Sequence, residues 1–482
     1  MPKLPYILAF TLGAMAVAGY APVYLYPAPI LTLAGLFYLW HKAESPGQCL
    51  RLGYTYGLGM FGAGVSWIYI SLHVFGEMPM PLAAIATAML CAFLSLFPAL
   101  AGWVSAHYER LRLLAMPASW VLMEWVLNWI FTGFPWMTVG NSQVPNSPMA
   151  GFVPLLGVFG TSLATAGFAA LIVALALGAH RRRIVIAIVI LWVSGSLLKQ
   201  VEWSRAIGQP ISVSLLQGNI SQDLKWQAEE AQRTLTTYLT LAKQHPAQLV
   251  VLPETALPVL LDQVPQDYRD ALVKASGGEV LAGLVEQQDG NYYNSMASFD
   301  AGKTQIYRKD HLVPFGEFIP LKGLLGWIYN DLLHIPLSDL TSGGAHQRPL
   351  DLAGQKIAVN ICYEDVFGEE IIRQLPEATL LVNASNDAWY GDSLAAHQHL
   401  QMSQVRALET GRMMLRATNT GATAIINPHG EVIAEAPQFS STALTGKAQG
   451  YVGTTPYVRL GNWPVISLIF LVLGVLWARK KK

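Results

Sequence analysis

Lys356-Ile357-Ala358-Val359-Asn360-Ile361-Cys362-Tyr363-Glu364-Asp365 is the stretch on which the reading of the whole chain turns. Residues 356–359 are apolar and β-rich, which predicts a buried strand, and Val366-Phe367-Gly368 follows as a place where a helix can begin. Cys362 is thereby set at a strand end, flanked by acids and opening onto a helix. A thiol is the most nucleophilic side chain near neutral pH, but it needs a nearby base to become the thiolate. Alone, such a cysteine is more often a small buried hydrophobe. Two other stretches reverse that reading.

Composition sets the frame. Apolar residues make up 52% of the 482 and charged residues only 13%, against roughly 25% charged in a soluble domain. Much of the chain therefore belongs in lipid. The 31 Lys and Arg balance the 31 Asp and Glu, so nothing points to a polyanion, and no nucleic-acid partner is expected. Cys49, Cys91 and Cys362 lie far apart with no CxxC spacing, which supports neither a disulfide framework nor a cysteine-based metal site. His397 and His399 are two apart on a predicted helix and face different directions, which argues against a metal pair. Neither a metal nor a cofactor is expected.

Charge-poor apolar runs occur at 4–19, 29–40, 55–72, 81–106, 113–131, 158–177, 184–198 and 463–478. A membrane helix needs about 20 such residues, so the first two suggest a tight, tilted hairpin. The first also resembles a signal peptide, but Lys3 is a weak leading charge and more helices follow, so it reads as a retained span. Lys3, Lys42, Arg51, Arg110, Arg112, Arg181-Arg182-Arg183 and Arg479 with Lys480-Lys481-Lys482 all fall on one side, whereas loops 20–28, 73–80 and 132–157 contain no Lys or Arg. By the positive-inside rule eight spans result, with both termini cytoplasmic. The expected organisation is a seven-helix membrane domain (1–201), an extracytoplasmic catalytic domain (202–456), and a last span with a basic tail (457–482).

The polar segment alternates strands and helices. Strands are predicted at 211–216, 248–252, 279–285, 292–299, 379–382, 414–419, 422–426, 431–435 and 444–448. Helices are predicted at 227–245, 267–275, 369–374 and 394–411. A layered α/β domain of that length can bury one substantial core. Glu254 follows a buried strand in Val251-Leu252-Pro253-Glu254-Thr255, and Lys309 lies in the polar run 307–317. Glu254 is the right residue type to take the proton of Cys362. Lys309 is the right type to stabilise both the thiolate and the oxyanion of a tetrahedral intermediate. Glu317 and Glu364 are supporting candidates that would orient the lysine or tune Glu254 by like-charge proximity. The plainer readings are a surface acid at a strand end and a hairpin lysine.

Together, Glu254, Lys309 and Cys362 resemble in type and chain order the Glu-Lys-Cys triad of the nitrilase superfamily. The α-β-β-α sandwich of that superfamily suits the predicted elements. More narrowly, three stretches combined with the eight-span frame resemble the apolipoprotein N-acyltransferase family. They are Leu216-Gln217-Gly218-Asn219-Ile220 with Lys225-Trp226, the run 312–320, and Cys362-Tyr363-Glu364-Asp365 with Tyr363 in a supporting place. The resemblance implies a polytopic α-helical membrane domain joined to a nitrilase-like domain. It also implies a bacterial inner-membrane enzyme with its catalytic domain in the periplasm. The implied reaction moves an acyl chain from a phospholipid, typically phosphatidylethanolamine, to Cys362 as a thioester. The chain then passes to the α-amine of the diacylglyceryl-cysteine that begins an apolipoprotein. The alternative is a membrane-tethered amidase or nitrilase acting on a small amide.

Four aromatic residues are candidates for a lid or lipid contact. Trp327, in the apolar run 318–335, suggests an interfacial arm. Trp389 and Tyr390 lie in the turn-rich loop 387–392, and Trp226 follows the Gly218-Asn219 turn. Glu124, within a span, is a further candidate, with Asn128 one turn away as its expected partner.

Overall fold

The computed structural model describes residues 3–108, 111–178, 180–222, 228–300, 304–319 and 339–480. The chain divides into two compact units. One comprises Met1–Tyr69, Pro79–Glu202 and Thr455–Lys482, and the other Ile70–Met78 with Trp203–Thr454.

The first unit is helical, and its helices carry exposed apolar side chains such as Leu4, Ile7, Ile190 and Leu471. Among the described residues, Met80–Ala106 and Pro148–Ala176 are long and apolar enough to cross a membrane. A third span results if the bent pair Pro46–Gly64 and Ile68–Phe75 counts as one. Leu4–Gly19 and Trp463–Arg479 are apolar but shorter. The other expected runs also form helices, Pro27–Lys42, Arg112–Leu127 and Arg181–Leu198. Glycines let the Leu4–Ala16 and Pro46–Gly64 helices touch backbone to backbone. A Cβ on Gly13 would stand 2.0 Å from the Tyr56 carbonyl oxygen, and one on Gly59 would stand 2.1 Å from that of Phe10. Such small-residue seams are how helices pack where lipid offers no hydrophobic drive. Glu124 is tied locally, accepting from Trp120 Nε1 at 2.9 Å and from the Val139 backbone N–H at 2.8 Å. These two donors take the place expected for the Asn128 side chain, because the 135–143 segment folds back onto the helix and brings an otherwise orphaned N–H.

The second unit contains two six-stranded sheets. The first holds β1 (Ser204–Gln217), β2 (Leu249–Val251), β3 (Glu279–Gln288), β4 (Asn291–Phe299) and β5 (Ile306–Arg308). The second holds β6 (Leu350–Leu352), β7 (Gln355–Ile361), β8 (Leu380–Ser385), β9 (Met414–Thr418), β10 (Ala424–Ile426) and β11 (Val432–Glu435), and β12 (Thr442–Gly453) returns to the first. The strand orders are β12-β1-β2-β3-β4-β5 and β11-β10-β9-β8-β7-β6. β1, β2 and β3 run parallel, as do β7, β8 and β9. Parallel strands buried on both faces read as continuous apolar runs, which is the pattern of Leu249–Val251 and Leu380–Val382.

Three apolar layers follow. Val213, Leu215, Val251 and Leu281 of one sheet pack with Ile357, Val359, Val382 and Leu415 of the other. The outer face of the first sheet is covered by the Ala228–Gln244 and Gln266–Ser276 helices through Tyr238, Leu241 and Leu272. The Leu394–Thr410 helix covers the second sheet through Leu400 and Ala407. The result is an α-β-β-α sandwich. Its parallel strands place their C-terminal ends at one rim, where ligands of α/β sheets are commonly held.

Candidate active site

Three of these strand ends carry the chemistry. Glu254 stands just beyond β2 and is 7% exposed; Lys309 follows β5 and is 1% exposed; Cys362 follows β7 and is 8% exposed. The β2 end can approach its neighbour because residue 283 is glycine. A Cβ there would fall 2.2 Å from the Pro253 carbonyl oxygen and 2.8 Å from Glu254 Cα.

Each acid is held by named donors. Glu254 Oε1 accepts from Asn294 Nδ2 at 2.8 Å and from Lys309 Nζ at 3.4 Å, while its Oε2 accepts from the Asn386 backbone N–H at 2.9 Å. Glu317 is bound more tightly to the lysine, with Nζ 2.9 Å from Oε1 and 2.8 Å from Oε2. The Asn294 amide also donates to Glu317 Oε1 at 2.9 Å, and the Val313 N–H to its Oε2 at 2.8 Å. One amide and one ammonium therefore join two carboxylates. Burial pulls the Lys309 pKa down, but Glu317 and Glu254 overcome it and hold the group well above its ordinary value. The lysine is a fixed cation.

Cys362 begins a 3-10 turn, Cys362–Val366, with φ +53°, in the left-handed region that costs an L side chain on the order of 1–3 kcal/mol. A sharp turn at a strand end lifts the thiol clear of the ladder. Burial, and then Glu254, push the thiol well above its usual range, while Lys309 pulls it back. A thiol raised in this way needs a base to receive its proton before it attacks.

Glu364 has a different place from the one expected. Its oxygens accept from Tyr307 Oη at 3.0 Å, from the Ile361 N–H at 2.6 Å and from the Asp310 N–H at 2.7 Å. It therefore braces the backbone at the ends of β5 and β7, where Lys309 and Cys362 are mounted. Burial raises its pKa to about 7. Tyr363 is buried edge-on to Phe367, with ring centroids 5.2 Å apart. In the 3-10 turn Asp387–Tyr390, Trp389 meets Phe75 edge-on at 5.9 Å. Burial, then the Cys362 and Asp387 charges, hold the Tyr390 phenol well above its usual range. Trp226 and Trp327, with most of the proposed arm, lie outside the described residues.

Several residues here escaped the sequence reading. Asn294, which links the two glutamates, is one, and a set of charges behind Cys362 is another. Asp365, Asp387, His399 and Arg416 are all at most 1% exposed. Arg416 Nη1 donates to Asp365 Oδ2 at 3.1 Å and Nη2 to Asp387 Oδ2 at 2.9 Å. His399 lies between the same two carboxylates. The available signal was an arginine inside the apolar run Met414-Leu415-Arg416-Ala417, since an unpaired charge is not tolerated in a buried strand.

A double-sheet sandwich with a glutamate, a lysine and a cysteine at its strand ends has the architecture of a carbon-nitrogen hydrolase. The Carbon-nitrogen hydrolase family model matches residues 212–457. A second model, Apolipoprotein N-acyltransferase N-terminal domain, matches residues 12–171. A protein from Nitrosomonas europaea named apolipoprotein N-acyltransferase is 51% identical over 479 residues, spanning 98% of this chain and 95% of that one. One of the same name from Chromobacterium violaceum is 44% identical over 483 residues, spanning 97% and 93%. Among solved structures, a CN-hydrolase superfamily protein from Xanthomonas campestris with an arsenic adduct in its active site aligns with TM-score 0.40 and 17% identity, covering 50% of this chain and 91% of that one. The chain belongs to the apolipoprotein N-acyltransferase family.

Proposed function

We propose that this protein moves an acyl chain from a phospholipid, with phosphatidylethanolamine as the donor, to the α-amine of the diacylglyceryl-cysteine of an apolipoprotein. The observation that carries the mechanism is the buried group of Glu254, Lys309 and Cys362 at the ends of β2, β5 and β7. In the first half, Glu254 takes the thiol proton and the sulfur attacks the ester carbonyl. Lys309 faces the oxyanion of the tetrahedral intermediate. Collapse expels the lysophospholipid alkoxide, which receives the proton from Glu254, and a thioester remains on Cys362. In the second half, the neutral amine attacks the thioester and Glu254 takes its proton. The Cys362 thiolate leaves and recovers that proton, so the enzyme is regenerated without net loss.

The positions of the charges and apolar runs support eight spans, both termini in the cytoplasm, and a periplasmic catalytic domain in a bacterial inner membrane. The domain boundaries follow at 1–201, 202–456 and 457–482. Membrane residence suits the chemistry, since both substrates are lipids and their meeting in two dimensions lowers the entropic cost. The test is incubation with vesicles carrying an acyl-labelled phosphatidylethanolamine and a diacylglyceryl peptide acceptor. Labelled N-acyl peptide and lysophospholipid are expected. Labelled free fatty acid as the main product, with unmodified peptide, would favour a hydrolase instead.

A further inference from the structure

Behind Cys362 the second unit buries four charged side chains that the reaction above does not use. His399 Nδ1 lies 2.9 Å from Asp387 Oδ1, and Nε2 lies 2.8 Å from Asp365 Oδ1 and 3.1 Å from the Cys362 carbonyl oxygen. An acceptor at each ring nitrogen asks for a proton on each. Arg416 bridges the same two aspartates on their other oxygens. Two cations and two carboxylates thus close a ring with no net charge.

That ring touches both ends of the reacting pair. On the cysteine side, His399 Nε2 and the Asn383 amide, the latter at 3.1 Å, both donate to the Cys362 carbonyl and hold the left-handed turn. On the base side, Asp387 adjoins Asn386, whose N–H binds Glu254 at 2.9 Å. Gly421 leaves room for Asp387, because a Cβ there would lie 2.5 Å from Asp387 Oδ2. Asp387 is near enough to the sulfur for its charge to raise the thiol pKa. Any imbalance in the ring is therefore felt by Cys362.

We propose that His399 is a positioning residue, an imidazolium at neutral pH that keeps this ring neutral so that Cys362 stays ionisable and its turn stays fixed. Burial and Arg416 oppose the charge on His399, but Asp365 and Asp387 prevail and raise its pKa to about 9. The other charges around it do not supply a substitute. On its own helix Arg406 pairs with Glu409 at 2.9 Å, and beyond the sulfur Lys309 is engaged by Glu254 and Glu317. A neutral side chain at 399 leaves the ring one charge negative directly behind the thiol.

The inference rests on Cys362 being the nucleophile, but its test reads thiol reactivity and needs no acyl transfer. The full chain in detergent micelles is treated with iodoacetamide from pH 6 to 10, and carboxamidomethylation of the Cys362 peptide is followed by mass spectrometry. His399→Gln should slow the reaction at pH 7.5 by about tenfold, equivalent to about one pH unit in thiol ionisation. The double variant His399→Gln with Asp365→Asn removes one positive and one negative charge. It should return the rate to within about threefold of the wild type. A packing role predicts the opposite order, with the double variant as slow as the single one or slower. An unchanged rate in His399→Gln overturns the proposal, as does failure of the double variant to fold. If only the single variant fails to fold and the charge-balanced one folds and reacts normally, the proposal stands.

Discussion

Replacing Asn294 by aspartate keeps the shape of the side chain and reverses its hydrogen-bonding sense. In the native site its amide donates to Glu254 at 2.8 Å and to Glu317 at 2.9 Å, and the Lys309 ammonium also binds both acids. Each bond from an amide to a charged acceptor is worth about 1.5–3 kcal/mol. An ionised aspartate would exchange both for like-charge contacts, each opposed by about 4 kcal/mol at an effective dielectric of about 20 and a separation of about 4 Å. Taking up a proton is cheaper, and a protonated aspartate still donates one bond. The smallest loss is therefore one bond, about 1.5–3 kcal/mol, which is about 10- to 150-fold in rate where it falls on the transition state. The assay is single-turnover formation of acyl-enzyme from vesicle phospholipid between pH 6 and 9. Asn294→Asp should be at least tenfold slow at pH 6 and fall further behind as pH rises and the new acid loses its proton. A rate within threefold of wild type across the range would refute the placement of Glu254 by this amide.

Folded Glu364 titrates at about 7 against an ordinary 4.5, and His399 at about 9 against 6.5. Both are raised, so their stabilising contributions are full below the ordinary values and are lost as pH climbs through the folded ones, by up to about 3 kcal/mol each. The unfolding midpoint of the second unit should therefore drop steadily from pH 5.5 to 9; a midpoint that rises over that window contradicts these assignments. Lys309→Arg should cut acyl-enzyme formation at least about 100-fold, because a planar fork does not fit a pocket built for a compact ammonium; single-turnover rates near wild type would show that charge alone suffices. Cysteines placed at Gln287 and Lys482 in separate variants should label with an impermeant thiol reagent from opposite faces of the membrane, and labelling from the same face defeats the eight-span reading.

The layered α/β character of the second unit was legible because its parallel strands are short, apolar and bounded by turns. Residues 248–252 and 379–382 are examples, and they correspond to β2 and the first part of β8. β1 was harder to bound. Its expected extent was 211–216, yet it begins at Ser204, since residues 205–210 are exposed, without an apolar signature, and pair with β12 only at 205–207 before an irregularity in register. β5 and β6, three residues each, are too short for periodicity to register. Within the site, Glu254 and Cys362 could be singled out by residue type at predicted strand ends, and Lys309 by residue type in a polar run. Asn294, Asp365 and His399 could not, because their meaning lies in contacts between strands and helices far apart in the chain, and for Arg416 the sequence offers only its place inside an apolar strand. Glu364 shows the same limit. Its proximity to Cys362 was plain, but its role depends on the Tyr307 hydroxyl and three backbone N–H groups. In the helical unit the apolar runs were visible, but a run of 16 residues such as Pro27–Lys42 does not by its length declare a complete span.

In the proposed mechanism Cys362 carries the acyl group as a thioester. The purified protein is incubated with acyl-labelled phosphatidylethanolamine vesicles without acceptor, quenched in acid and digested, and the label is mapped by mass spectrometry. One acylated peptide is expected, that of Cys362, with a label released by neutral hydroxylamine and absent from Cys362→Ser. Label on another residue, or undiminished labelling in Cys362→Ser, would contradict that mechanism.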